Sequence, residues 1–442
     1  MSDPATDPVA LFERTAAAYE RCFWLDGGGA REWSGRRSIL GWLEPDDVSL
    51  SYDAARGEVT RHAAGRAEVV GDDVFTVLEA ELAAGSPRDQ WFGYLGYASR
   101  PDLPARPSAD LPDAVWMRPR HVRFFEHPEV GDGAAVSPGT RGNWMRSGEI
   151  SPQRLRDPRV PGETDGPPAT YRAAYEEVQE RLRAGDTYEV NLTLREEVAS
   201  DLDPVAAYLR LRTLNPAPYA GFLQHDVAGA RGWLLSSSPE RYALVGADRV
   251  LETKPIKGTA PRGADEAADE ALREELARDP KQRAENLMVV DLLRNDVAGV
   301  CEPGSVRVPV LMEVETYASV HQLVSVVSGR LRDDVSTVGA LRSLFPAGSM
   351  TGAPKLRTMQ VIDAVEATPR GAYAGAFGWV SADGRADLGV VIRALSTRGD
   401  GTWRLGTGGG VTVLSDAAAE WAEARVKAER LLAVFDDGGP TG

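Results

Sequence analysis

The chain has 442 residues, enough for a large core in one two-lobed domain or in two to three smaller ones. Lys and Arg total 50 against 66 Asp and Glu, a formal charge of -16, which excludes the diffuse positive field that nucleic acid or anionic lipid requires. The polar, acidic start Met-Ser-Asp-Pro-Ala-Thr-Asp, the lack of any apolar run of ~18 residues, and the sparse, distant pair Cys22 and Cys301 predict a cytoplasmic protein without a membrane span or a disulfide framework.

In chain order, strand-like pieces at Cys22–Leu25, Val48–Tyr52 and Val122–Phe125 accompany one helix-like piece at Asp73–Ala84. Residues 147–168 hold Pro152, Pro158, Pro161, Pro167 and Pro168 among Gly and charge, without apolar periodicity, and read as a surface linker. Three segments are therefore expected: 1–150, a linker at 151–168, and 169–437. Beyond the linker, Ala169–Arg183 is an amphipathic helix stopped by Gly185. Strands are predicted at Glu189–Val198, Tyr219–Gln224, Trp233–Ser237 and Val250–Lys254, then helices at Asp265–Ala277 and Lys281–Leu293. Strands at Val306–Glu313 and Val320–Leu331 precede helices at Val338–Leu344 and Lys355–Ala367. Strands at Gly375–Val380, Asp387–Leu395 and Thr402–Gly408 lead to a closing helix, Ala417–Phe435. Strands interspersed with helices without strict alternation indicate α+β with large antiparallel sheets.

Several local patterns carry chemistry. In Glu252-Thr-Lys-Pro-Ile-Lys-Gly-Thr259 a strand ends at a proline, and Lys257 is followed by a glycine that permits close approach of a ligand. Such a lysine is an amine nucleophile if desolvation or a neighbouring cation lowers its pKa, and Lys254 and Arg262 are the expected neighbours. A surface turn with solvated lysines is the competing reading. Glu285, on one helix, and Glu420 and Glu423, three apart on another, form a carboxylate set of the kind that Mg²⁺ accepts; solvated surface glutamates are the alternative. The loop Phe345-Pro-Ala-Gly-Ser-Met-Thr-Gly-Ala-Pro-Lys355 precedes a helix, as an anion cradle or a simple capping turn. His321 and Arg393 sit within apolar strands, and a buried arginine expects a carboxylate partner from the protein or from a ligand.

Together and in order, the segments resemble the chorismate-binding enzymes, which include the large subunits of anthranilate synthase and aminodeoxychorismate synthase and the isochorismate and salicylate synthases. The resemblance rests on Gly185-Asp-Thr-Tyr-Glu-Val-Asn-Leu-Thr, Ser236-Ser-Ser-Pro-Glu-Arg241, Pro255-Ile-Lys-Gly-Thr259, the run from Ala284 to Asp296, Gly348-Ser-Met-Thr-Gly-Ala-Pro-Lys355 and Tyr373-Ala-Gly-Ala-Phe-Gly378. It is strong over residues 169–435 and weak before them. It implies an α+β fold of two large, mostly antiparallel β-sheets packed as a sandwich with helices outside. It implies Mg²⁺, with Glu285 and Glu423 as direct ligands and Glu420 through water. Tyr373 and Arg393 would grip the other carboxylate of chorismate, helped by backbone N–H groups near Gly408 and Gly409. Thr259, His321 and Ser349 would be ring-side contacts.

The branch is indicated at Lys257, where the anthranilate enzymes resemble Pro-Ile-Ala-Gly-Thr. The resemblance then implies that Lys257 attacks C2 while the C4 hydroxyl leaves, protonated by Glu240, and that ammonia displaces the lysine at C4. Anthranilate synthase, or an enzyme making 2-amino-2-deoxyisochorismate, is the alternative. Neither Cys22 nor Cys301 sits in a nucleophile elbow, so a separate glutaminase subunit is expected as ammonia donor. At the N-terminus, Phe23-Trp-Leu-Asp-Gly27 departs from the Leu-Leu-Glu-Ser of the branch that is inhibited by tryptophan.

Overall fold

The computed structural model describes residues 7–27, 37–127, 166–317 and 320–436. Strands are numbered in chain order. Arg-Cys-Phe-Trp-Leu-Asp and Tyr-Ala-Gly-Phe-Leu-Gln-His are buried along their whole length, the pattern of strands covered on both faces. They form β1 (Arg21–Asp26) and β10 (Tyr219–His225), antiparallel neighbours with Cys22 opposite Gln224. Among the described residues their sheet has nine strands, in the order β17 (Gly352–Ala353), β9 (Glu189–Ala199), β21 (Thr402–Val411), β20 (Ala394–Thr397), β11 (Gly232–Ser238), β10, β1, β2 (Arg37–Trp42) and β8 (His121–Glu126).

Among the described residues, the second sheet has twelve strands. Their order is β14 (Ile256–Pro261), β16 (Val320–Arg330), β13 (Val250–Lys254), β12 (Arg241–Val245), β19 (Ala386–Val390), β18 (Ala376–Ser381), β6 (Gln90–Leu95), β7 (Ala114–Arg118), β3 (Val48–Asp53), β4 (Glu58–Ala63) and β5 (Arg66–Gly71), with β15 (Arg307–Thr316) also on β16. The pairings are antiparallel. Both sheets take strands from either side of the proline-rich stretch, most of which lies outside the described residues.

Phe23, Leu25 and Ile39 of the first sheet meet Phe92, Tyr94, Val115 and Phe377 of the second, so the two sheets share one core. Helices cover the outer faces. On the nine-stranded sheet lie α1 (Pro8–Ala18), α4 (Pro204–Leu214) and α9 (Ala417–Leu432). On the twelve-stranded sheet lie α2 (Val74–Ala84), α6 (Pro280–Ala298) and α7 (Thr337–Leu344). At the β9–β21 end pack α3 (Ala169–Arg183) and α8 (Lys355–Val365). The acidic α5 (Glu266–Arg278) buries only Leu276. The helices α1, α4 and α6 each start with Asp-Pro: the aspartate caps an N–H of the first turn and the proline takes N1, where no N–H is needed.

One predicted strand is corrected. Asp387–Leu395 is two strands in two different sheets, β19 and β20, joined by a crossing at 391–393. The Ile392 N–H closes back on the Val390 carbonyl, and Arg393 takes a left-handed φ of 47°. A continuous apolar run does not reveal this break, because both halves are buried.

A polar node also ties the sheets together. The buried Arg21 guanidinium donates to the Asp47 carbonyl at 2.8 Å and to Ser49 Oγ at 3.1 Å. Ser49 Oγ meets His225 Nε2 at 2.9 Å, and His225 Nδ1 meets the Ala230 carbonyl at 2.8 Å. A carbonyl only accepts, so Nδ1 carries a proton, and Ser49 Oγ, which accepts from Arg21, has its own proton to donate to a bare Nε2. His62 Nε2 lies 2.8 Å from Ser51 Oγ. Burial lowers His62 to about 4, with Arg21 adding to the effect, and pushes His225 down to about 3. Cys22 on β1 is buried in the first sheet, and Cys301 is buried against Gly329 of the second. Among the described residues, no helix is long and apolar enough to cross a membrane.

Candidate active site

The expected site residues gather where β9 and β21 of one sheet face β14 of the other. Between Ile256 and Thr259 the pairing with β16 slips by one residue: Ile256 faces Val324 and Thr259 faces Gln322. This bulge, with Gly258 at a φ of 91°, re-aims the Lys257 side chain. The Lys257 ammonium forms a buried ion pair with Glu189 of β9. A Cβ on Gly410 of β21 would lie 2.2 Å from Glu189 Oε1 and 2.8 Å from Lys257 Nζ, so the pair needs a glycine there.

The electrostatics of Lys257 correct the sequence-based expectation. Lys254 pairs with Glu315 at 3.0 Å, and Arg262 pairs with Asp269 at 2.7 Å, so neither is the cation beside Lys257. Desolvation alone would lower the lysine's pKa, but Glu189, Glu285 and Glu240 outweigh it and hold Lys257 above the ordinary lysine range. Its surroundings are carboxylates because the strand opposite presents Glu189.

Glu240 follows β11 and is buried. Its Oε1 accepts the Ser349 hydroxyl at 2.5 Å. Burial raises its pKa to about 7, opposed by Ser349, Lys257, Arg393 and Lys427. The carboxyl is thus poised to give up a proton near neutrality. Ser349 sits in a buried 3-10 turn whose carbonyl accepts from Asn191 Nδ2 at 2.9 Å, so its hydroxyl is aimed at Glu240.

Arg393 lies at the crossing between the sheets. Among the described residues its guanidinium makes no hydrogen bond or ion pair. Burial, with Arg430 as a second cause, lowers its pKa to about 10. Such a cation is ready for an anionic ligand. The Tyr373 ring lies against Gly406, where a Cβ would come within 2.3 Å, and Arg195 stacks over it at 4.5 Å. A Cβ on Gly409 would lie 3.2 Å from Glu420 Oε2, and the Gly408 carbonyl accepts from Lys427 Nζ at 2.9 Å. The remaining two expected contacts lie on β14 and β16. Thr259 is exposed. His321 is buried with both nitrogens engaged, by Asp269 at 3.0 Å and Thr316 at 2.9 Å.

The carboxylates suit a hard cation. Glu285 is buried, and among the described residues its Oε1 has no hydrogen-bond partner. Desolvation lifts its pKa to about 7, and the opposing Lys257 does not reverse the effect. Lys281 Nζ lies 3.1 Å from Glu420 Oε1 and 3.8 Å from Glu285 Oε1, so a positive charge already sits between two of the three expected ligands. Glu423 is held by Lys427 at 2.8 Å. With both lysines in place, no three His, Cys, Asp or Glu side chains among the described residues converge as a ready ligand set. An orphaned buried carboxylate oxygen and a bridging cation nevertheless fit Mg²⁺.

Glu189, Lys281 and Lys427 were missed from sequence. The two lysines were detectable, since each lies four residues from a candidate ligand on the same helix. Glu189 lies within the motif Gly185-Asp-Thr-Tyr-Glu-Val-Asn-Leu-Thr, but its role had no local signal, because β9 and β14 belong to different sheets and only the packing of the two sheets brings it to Lys257.

The sequence profile of the chorismate-binding enzymes matches residues 20–433, and this chain belongs to that family. It is 40% identical over 97% of its length to the aminodeoxychorismate synthase of Streptomyces pristinaespiralis, and spans 64% of that relative. The fold superposes on anthranilate synthase component I of Streptococcus pneumoniae with a TM-score of 0.70, at 25% identity, covering 96% of this chain and 97% of that one. The menaquinone-specific isochorismate synthase of Escherichia coli gives a TM-score of 0.64 at 18% identity, covering 98% and 92%, which supports the fold alone.

Proposed function

We propose that this chain aminates chorismate at C4 with ammonia, giving 4-amino-4-deoxychorismate, and that a separate glutaminase subunit provides the ammonia. The observation that carries this reading is Lys257, a lysine aimed by a bulge into the carboxylate-lined site at the position where the anthranilate branch resembles alanine. The 40% identical Streptomyces relative, named for this activity, supports it.

Lys257 must first lose a proton, and Glu189, which touches its Nζ, is the acceptor within reach. The neutral amine then bonds to C2, both conjugated ring double bonds shift by one bond around the ring, and the C4–O bond breaks. The hydroxyl leaves as water with the proton of Glu240, which Ser349 orients. Ammonia bonds to C4 and gives its surplus proton to the Glu240 carboxylate, both double bonds shift back, and the lysine amine departs from C2 and regains its proton. Arg393 and Tyr373 hold one substrate carboxylate, with the backbone at Gly408 and Gly409 beside them. Thr259 and His321, on the strands that frame Lys257, flank the ring. Glu285, Glu420 and Glu423 would hold Mg²⁺, whose charge binds the other carboxylate.

The test is mass spectrometry of chorismate incubated with Mg²⁺ and ammonium. The expected product carries its amine at C4, and amine at C2 would overturn the reading in favour of the anthranilate branch. Glutamine should support turnover only when a glutaminase subunit is added.

A further inference from the structure

We infer that Lys281 is the protein's own counter-ion for the metal site: its ammonium bridges Glu285 and Glu420 in the metal-free protein and leaves when Mg²⁺ binds. The inference rests on the assignment of these glutamates as metal ligands.

Geometry carries it. The Glu285 and Glu420 side chains are 11% and 4% exposed, yet they project into one site from two helices, α6 and α9. Two buried carboxylates facing each other repel, and each loses hydration. Lys281 Nζ lies within 4 Å of an oxygen of each, 3.1 Å from one and 3.8 Å from the other. The longer contact reaches Glu285 Oε1, which has no hydrogen-bond partner among the described residues. A point charge shared by two carboxylates, one of them under-coordinated, imitates a divalent cation that is one charge short.

Lys281 is also built to leave. It is the second residue of α6, directly after Pro280, and its side chain is 40% exposed on a flexible four-carbon stem. Lys427 differs: it bonds Glu423 on its own helix and the Gly408 carbonyl, and bridges no second candidate ligand. One ammonium therefore competes with the metal and the other organises a single ligand.

Two measurements on the full chain test this. In calorimetry, Lys281→Met should bind Mg²⁺ at least tenfold more tightly than the wild type, and Lys281→Gln should do the same if the Met variant folds poorly. In the wild type, acetylation of Lys281 read by peptide mass spectrometry should rise severalfold when Mg²⁺ is added, while that of Lys355, paired with Asp296, stays constant. Unchanged Mg²⁺ affinity in the folded variant, or unchanged labelling of Lys281 on binding, overturns the inference while leaving the metal site standing. Absence of Mg²⁺ binding in both wild type and variants overturns the inference together with the ligand assignment.

Discussion

Burial sets the working range of Glu240. Its carboxyl is raised to about 7, so the protonated form that can act as an acid is lost as the pH rises through that value. The kcat/KM of ammonia-dependent turnover should show a falling limb near pH 7, and Glu240→Gln should lose ~10²–10⁴-fold in kcat. Linkage gives a second readout. A carboxyl raised above its unfolded value of 4.5 contributes stability that is complete below 4.5 and is lost as the pH rises through 7. Glu240→Gln should therefore melt higher than the wild type at pH 8, with a smaller difference near pH 4.5. An inactive variant that also melts lower at pH 8 would contradict the assigned burial cost. Lys257→Ala removes the nucleophile, and no adduct mass should then appear on its peptide after incubation with chorismate and Mg²⁺ without ammonia. An adduct on another residue would sink the covalent route.

At the level of elements, the site depends on a bulge, a glycine run and a crossing. Gly410→Ala inserts a Cβ between Glu189 and Lys257, and both side chains are buried with little room to move. Turnover should fall by about tenfold or more while the circular dichroism spectrum stays that of the wild type; normal turnover would mean that the pair is dispensable. These features also mark the limits of reading the chain alone. The strands β9, β13 and β16 and the helix α3 were legible because apolar periodicity and a stop at Gly185 define them locally. The helices α1 and α4 were overlooked although Asp7-Pro8 and Asp203-Pro204 spell the same start as α6. The break at 391–393 was illegible, since whether Val390 and Ala394 share a sheet depends on strands far away in sequence. The long motifs contain Lys257, Glu240 and Glu285, but that these carboxylates and Glu189 surround the lysine is a matter of tertiary structure. Hence its position was predictable and its electrostatic setting was not.

At the scale of the molecule, the two sheets are joined by buried histidines that stay neutral. Their folded pKa values, about 4 for His62 and about 3 for His225, lie below the unfolded 6.5. The unfolded chain binds more protons between these limits, so the stability that depends on them is complete above 6.5 and drains away as the pH falls. The melting temperature should drop from pH 7 to pH 4. His225→Gln should flatten that dependence by up to about 1.4 kcal/mol per pH unit, the weight of one proton. An unchanged slope would show that the carboxylates, and not this node, govern acid unfolding.

The two thiols offer a way to watch the sandwich come apart. Cys22 lies within one sheet and Cys301 behind the other, both sealed from solvent. A thiol reagent must wait for its own sheet to open, so each labelling rate is a clock for one layer. If the shared core of Phe23, Phe92 and Phe377 makes the sandwich a single cooperative unit, both clocks run at one rate under mild denaturant. If the layers open separately, the rates diverge, and the faster cysteine names the layer that yields first.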